Sequence, residues 1–361
     1  MAAQISSNLR SIIEDVQPER VSVLIEATPG EETAVQESLE EQGLDYRKAT
    51  VGRMTVFETV ATPAEVNTAA QTRGIERIDH NPTFSTQGAC VEGAESGVTP
   101  DAVDRINRVD LREVTDQMEV PAAWDESGTR GEGVSIGMVD TAISQDHPVF
   151  EDADIVTNNQ PESGEDHGTW VAGAMVGGEM STGDGRGHVR GVAPDATLYS
   201  DGALSGGKAD FIDVANGTGW ALDQGVDIMN LSLGGSHSPV MQSMVAELES
   251  QGVRIVSSAG NTGPVRGSVT CPAHHNETIA VASVDTDGNV AGFSARGPGW
   301  NDAPDKPDIA CYGGATEGAT TLTETILGPT ADGGFSPLVG TSMAAPLVAG
   351  TMALQLARDN E

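Results

Sequence analysis

Three side chains in this sequence have the types and settings needed to split an acyl bond: Asp140 in GMVDTAIS, His167 in EDHGTWVAG and Ser342 in GTSMAAPLVAG. A serine hydroxyl attacks when a base within hydrogen-bond reach takes its proton. The base works best when a buried carboxylate fixes its tautomer and stabilises its charged form. Asp140 ends an apolar run, and His167 precedes small residues that open a helix. Ser342 starts another helix, where N-terminal amides favour negative charge developing nearby. Each setting also has an ordinary reading: an aspartate after a strand is a turn or cap residue, HG is a loop, and a serine before a helix is an N-cap. It is their joint occurrence, in the order Asp, His, Ser, that carries the catalytic reading.

Such residues need rigid elements to hold them. After Trp124, the segments GVSIGMVD, ATLYSDGAL, VDIMNLSLGG, VRIVSSAGN and TIAVASVD read as short β-branched strands. Between them WVAGAMVGG, DFIDVANGTGWALDQG and SPVMQSMVAELESQG carry helical patterns. Strands alternating with helices predict an α/β fold with a doubly wound, mostly parallel sheet covered on both faces. In such sheets polar residues do chemistry at the carboxyl ends of the strands. Residues 21–80 instead read strand, helix, strand, strand, helix, strand, with Pro63 at a helix start and Gly43 and Gly74 at helix ends. This is a smaller α+β ferredoxin-like unit, and by itself it proves no function. The expected organisation is therefore 1–81 as an N-terminal domain, 82–120 as a linker and 121–361 as the larger domain.

The chain carries 54 Asp+Glu against 19 Lys+Arg, a formal charge of -35, and its lysines are Lys48, Lys208 and Lys306 alone. Such a surface repels phosphate backbones and anionic lipid, so neither nucleic acid nor a membrane is an expected partner. With 38% hydrophobic residues the sequence is that of a folded protein, and dense carboxylates with little lysine suit molar salt, where self-repulsion is screened. An ordinary acidic protein is the other reading. The first residues lack both a basic leader with a long apolar core and a twin-arginine pair, so an intracellular protein is expected unless a leader was removed. Three scattered cysteines, Cys90, Cys271 and Cys311, make no disulfide framework; a single Cys271–Cys311 bridge stays open.

Taken together, the three motifs make the chain from about Val120 onward resemble the catalytic domain of the subtilisin-like serine proteases, and the likeness extends through CPAHHNETIAVASVDTDGNVAGFSARGP and KPDIACYG. The resemblance implies a serine endopeptidase acting on polypeptides through an acyl-enzyme: Ser342 attacks, His167 shuttles the proton, Asp140 orients His167, and Asn261 in VSSAGNTGP donates to the oxyanion. It implies that Ser232, Leu233 and Gly234 in NLSLGG bind substrate backbone as an added antiparallel strand, with Gly206 and Gly207 on the other edge of the cleft. No cofactor enters that chemistry, and a monomer is expected. The N-terminal unit resembles the family's propeptide, an intramolecular inhibitor whose tail occupies the cleft, with self-cleavage after Ile78 and near Gln87 and Gly88. The alternative is an inactive, protease-like binding or assembly protein with a blocked cleft.

Several positions depart from the family pattern. Ala142 stands where glycine is usual and Trp170 where histidine is usual; Val149 replaces an aspartate that binds a structural calcium in many members. Only 19 residues follow Ser342, where the family continues with further helices and strands, so part of the support is expected to be missing. Asp184 in STGDGRG and the carboxylates of PESGED could hold calcium, and equally could be ordinary loop residues of an acidic chain. His274 and His275 point to opposite faces if extended, so an exposed loop is expected there and no metal site. His147 is expected to be structural, and His80, His188 and His237 have no evident partner.

Overall fold

A computed structural model describes residues 3–90, 106–161, 164–183, 187–300, 305–318 and 321–360. The N-terminal unit runs Val21–Ala27, helix Glu32–Glu41, Tyr46–Val51, Met54–Ala61, helix Pro63–Ala69 and Ile75–His80. Its second helix is started by a reciprocal cap: Thr62 accepts from the Glu65 amide while the Glu65 carboxylate accepts from the Thr62 amide. Because side chains alternate along a strand, Val23 and Ile25 pack on the unit's own helices through Val35, Leu39 and Val66. Leu24 points the other way, into a core it shares with Met54, Val56, Phe211, Met241 and Met244. The two domains are therefore joined by buried apolar surface. Gly219 makes the approach possible, since a side chain there would meet the Thr50 carbonyl oxygen at 2.1 Å.

Glu26 lies on that same inner face, ion-paired to Arg77 at 3.2 Å and accepting from Ser243 Oγ at 3.1 Å. Burial pushes its carboxyl from the ordinary 4.5 up to about 7, against the pull of Arg77. A folded-state value above the unfolded one means that the folded chain binds more protons at this group, so the contribution of Glu26 to stability is fully present below pH 4.5 and is lost as pH rises through about 7. Burial raises Asp201 in the same direction, to about 6. Glu26→Gln is expected to remove its own share of this fall. Thermal unfolding of the two full chains should then diverge with rising pH, the glutamine variant being the more stable at neutrality, and parallel profiles would refute the assignment.

The larger domain is a seven-stranded, wholly parallel sheet in the order Ile155–Asn158, Thr197–Leu204, Ser135–Thr141, Ile228–Leu231, Arg254–Ser258, Thr278–Val284, Ile309–Tyr312. Helices Asp166–Val176 and Thr341–Asp359 pack on one face around Ile136, Met138, Ile228, Val256 and Val281. Helices Phe211–Asp223 and Pro239–Ser250 cover the other, around Val139, Met229, Leu231 and Ile255. This is the doubly wound α/β fold expected from the alternating pattern.

The expected linker needs correction at both ends. Thr83–Thr86 is a strand lying between Lys208–Asp210 and Leu233–Gly235. Asn107–Asp110 pairs with Thr321–Pro329, and helix Leu111–Gln117 sends Leu111 and Val114 into the main core. Short polar stretches hid these elements, because their partners lie more than a hundred residues away. Residues 91–105 lie outside the described part. Cys271 and Cys311 are separate buried thiols, so no bridge joins them. No helix among the described residues is long and apolar enough to cross a membrane.

Candidate active site

Asp140 ends the strand Ser135–Thr141 in the middle of the sheet and is fully buried. Its Oδ1 accepts from His167 Nδ1 at 2.7 Å and from the Thr141 amide at 2.6 Å. That bond leaves His167 Nε2 as the free nitrogen of the ring, buried and without a hydrogen-bond partner. The Thr141 hydroxyl accepts from the Gly168 amide at 2.8 Å and so ties the start of the histidine's helix to the aspartate's strand. Ser342 sits in the first turn of helix Thr341–Asp359, with Oγ donating to the Ser232 carbonyl at 2.8 Å and accepting from the Gln87 amide at 2.9 Å.

The chain's own residues 83–88 run through this site. Thr83–Thr86 pairs antiparallel with both neighbours: Leu233 opposite Thr86, Gly234 opposite Ser85 and Gly235 opposite Phe84 on one side, and Lys208, Ala209 and Asp210 opposite Ser85, Phe84 and Thr83 on the other. Adding a strand to an open edge lets main-chain bonds hold an extended peptide whatever its side chains. The Thr86 amide donates to the Gly207 carbonyl at 3.0 Å, whereas the Gly206 amide donates to Glu165 and makes no such bond to the tail. The Gln87 carbonyl oxygen accepts from Asn261 Nδ2 at 2.5 Å and from the Ser342 amide at 3.1 Å. Two convergent donors on one carbonyl form a pocket for developing negative charge. A side chain on Gly88 would fall 3.0 Å from His167 Cδ2 and 3.1 Å from Nε2, so the residue after Gln87 lies against the histidine ring.

Asp140, His167, Ser342, Asn261, Ser232, Leu233, Gly234 and Gly207 thus converge on one cleft, and Gly206 stands at its rim. Sequence reasoning missed Thr341, whose amide and hydroxyl both donate to Asn261 Oδ1, at 3.0 and 2.9 Å, and so aim the asparagine's NH2 at the carbonyl. Its place beside Ser342 was the only signal. It also missed Gly340, whose φ of 150° and position would set a side chain 2.2 Å from the Gln87 oxygen. The Lys208–Asp210 strand was missed as well; at three residues it is too short to show periodicity.

The departures are accommodated. Trp170 is wholly buried and donates to the Ile326 carbonyl at 3.2 Å, in space left by Gly328. His147 is structural: Nδ1 accepts from the Val149 amide at 3.0 Å and Nε2 binds the Gly334 carbonyl at 2.9 Å. Asp184, Glu162 and Ser163 lie outside the described residues. The expectation for His274 and His275 was wrong. Both are buried, 4% and 3% exposed, in a turn and not an extended strand, and His237 has a partner in His274.

A sequence model described as the Subtilase family matches residues 131–361. The chain is 35% identical over 244 residues to Subtilisin Savinase of Lederbergia lenta, covering 66% of this chain and 81% of that protein. It is 33% identical over 239 residues to Subtilisin DY of Bacillus licheniformis, covering 64% and 79%. Human Membrane-bound transcription factor site-1 protease is 31% identical over 266 residues, 69% of this chain but only 23% of the longer relative's length. The residues matched by the family model include the whole seven-stranded sheet together with Asp140, His167, Asn261 and Ser342, and on that ground the chain belongs to the subtilase family.

Proposed function

We propose that this protein is a serine endopeptidase, made as a zymogen that cuts itself between Gln87 and Gly88. The observation that carries the reading is the Gln87 carbonyl held by Asn261 Nδ2 and the Ser342 amide, with Ser342 Oγ beside the same residue. In the reaction the Ser342 hydroxyl leaves the Ser232 carbonyl, turns to His167 Nε2 and attacks the carbonyl carbon as its proton passes to that nitrogen. The oxyanion forms between Asn261 and the Ser342 amide. The C–N bond to Gly88 then breaks, His167 returns the proton to the leaving amine, and water releases the acyl group by the same steps in reverse order. Asp140 holds the histidine's tautomer throughout. Polypeptides in extended form are the substrate class, because the cleft edges offer main-chain pairing to a strand. Before cleavage the N-terminal unit fills that cleft and acts as an inhibitor.

The acidic composition, with its formal charge of -35, supports a protein adapted to high salt. The test is an intact-mass spectrum of the full chain incubated in molar salt and, in parallel, in dilute buffer. A break after Gln87 and a mature fragment labelled once by a fluorophosphonate are expected in salt, with loss of both in dilute buffer. An uncut, unlabelled chain in both would refute the enzyme and favour a protease-like binding protein; equal processing in both would refute only the salt adaptation.

A further inference from the structure

Away from the catalytic cleft, His237, His274 and His275 bring one ring nitrogen each to within 4.8 Å of the others. His237 Nδ1 and His274 Nε2 are 3.1 Å apart, and the ring centroids of His274 and His275 are 4.3 Å apart. Tetrahedral zinc with Zn–N bonds of about 2.0–2.1 Å requires nitrogens about 3.3–3.4 Å apart. One pair, at 3.1 Å, is a few tenths of an ångström inside that spacing, and the remaining pairs, within 4.8 Å, need to close by at most about 1.5 Å. Two nitrogens at hydrogen-bond distance can share a proton; nothing in such a bond calls for a third imidazole beside them.

The state of the rings fits the same purpose. The rings sit away from water: His274 and His275 are 4% and 3% exposed, and His237 is half-buried. Trp300 stacks on His237 with ring centroids 3.7 Å apart and holds that ring in place. Among the described residues, the charges facing the cluster are Asp79 and His80 near His237, and Lys306, whose ammonium is tied to the Thr278 carbonyl and to Asp308.

We infer that His237, His274 and His275 bind a divalent cation of the zinc class, with solvent in the fourth position. Imidazole nitrogens select zinc, copper, nickel or cobalt, whereas calcium and magnesium require oxygen ligands. The cation takes the place of the hydrogen bond between His237 Nδ1 and His274 Nε2, and the proton of that bond moves to the outer nitrogen of the ring that carried it, so that both rings stay neutral. The site fastens two loops that shape the cleft. His237 follows Gly235, which pairs with the tail strand at Phe84, and a bridge through Gly235 and Cys271 leads to the turn carrying His274 and His275. The His237 carbonyl accepts from Asn8 Nδ2 at 3.1 Å, so the site also touches the N-terminal domain.

The test uses the full chain with Ser342→Ala, stripped of metal with a chelator, so that self-cleavage does not intervene. Titration with Co2+ is expected to produce the visible absorption of a tetrahedral cobalt centre, saturating at one equivalent and abolished by Zn2+. His237→Gln should weaken this binding by about 100-fold or more, since loss of a residue that merely orients a metal ligand costs about 10–100-fold. Because His237 is only half-buried, that variant is expected to keep the parent's metal-free melting temperature. Absence of the band together with no rise in the parent's melting temperature on adding Zn2+ overturns the inference. Unchanged binding in His237→Gln overturns it too, by placing the ion on the acidic surface.

Discussion

Replacing Ser342 by alanine is expected to lower peptide turnover by about a millionfold, the size of effect known for subtilisin, a member of this same family. The physical reason is that the substitution removes the nucleophile itself, the Oγ that meets the Gln87 amide at 2.9 Å beside the donors on that residue's carbonyl. The fold should be unaffected, because the oxygen's loss removes its bond to the Ser232 carbonyl and the one from the Gln87 amide but leaves the helix Thr341–Asp359 intact. The variant should therefore run as the uncut chain of 361 residues, with the N-terminal domain still docked. Steady-state hydrolysis of an extended peptide, read beside the intact mass, checks both statements. Retained cleavage after Gln87 in this variant would remove Ser342 from the mechanism.

Asn261→Leu is expected to lower kcat by about 10²–10³, again a magnitude measured in subtilisin for a single oxyanion donor. The side chain's NH2 stands 2.5 Å from the Gln87 oxygen, and leucine keeps the volume while removing the charge stabilisation. KM should change far less than kcat, because the donor matters most when the oxygen becomes negative. Thr341→Val is the accompanying positioning variant: it keeps the backbone donor to Asn261 Oδ1 but loses the hydroxyl bond at 2.9 Å. A smaller loss in kcat than that of Asn261→Leu is the expected order. If Asn261→Leu instead raised KM and left kcat alone, the asparagine would be a substrate-binding residue and not an oxyanion donor.

Much of this was legible in the residues because it is local. Alternating and helical periodicities mark the strands around GVSIGMVD and VRIVSSAGN, since each strand buries its own β-branched side chains and needs no distant information. The catalytic motifs are equally local: Asp140 closes a strand, His167 and Ser342 open helices, and each motif puts its side chain at a carboxyl end of the sheet. The βαββαβ order of the N-terminal unit could be read for the same reason, from Pro63, Gly43 and Gly74.

What sequence reasoning missed depends on contacts between remote segments. Residues 83–86 carry no strand pattern of their own, and they become a strand because Lys208–Asp210 and Leu233–Gly235 leave a gap one strand wide. The helix Leu111–Gln117 is too short to show an amphipathic stripe, and its burial is decided by packing against the remote segments His188–Val189 and Thr321–Pro329. His274 and His275 would face apart on a strand; a turn brings their rings together and a loop 37 positions earlier adds His237. The amino-acid sequence by itself determined the fold class, the family and the candidate residues for the site, because each rests on a periodicity or a motif within a few residues. Only the tertiary structure decided which peptide lies in the cleft, how Glu26 comes to hold its proton and where three imidazoles meet, because each of these is a matter of burial between segments that the chain order keeps apart.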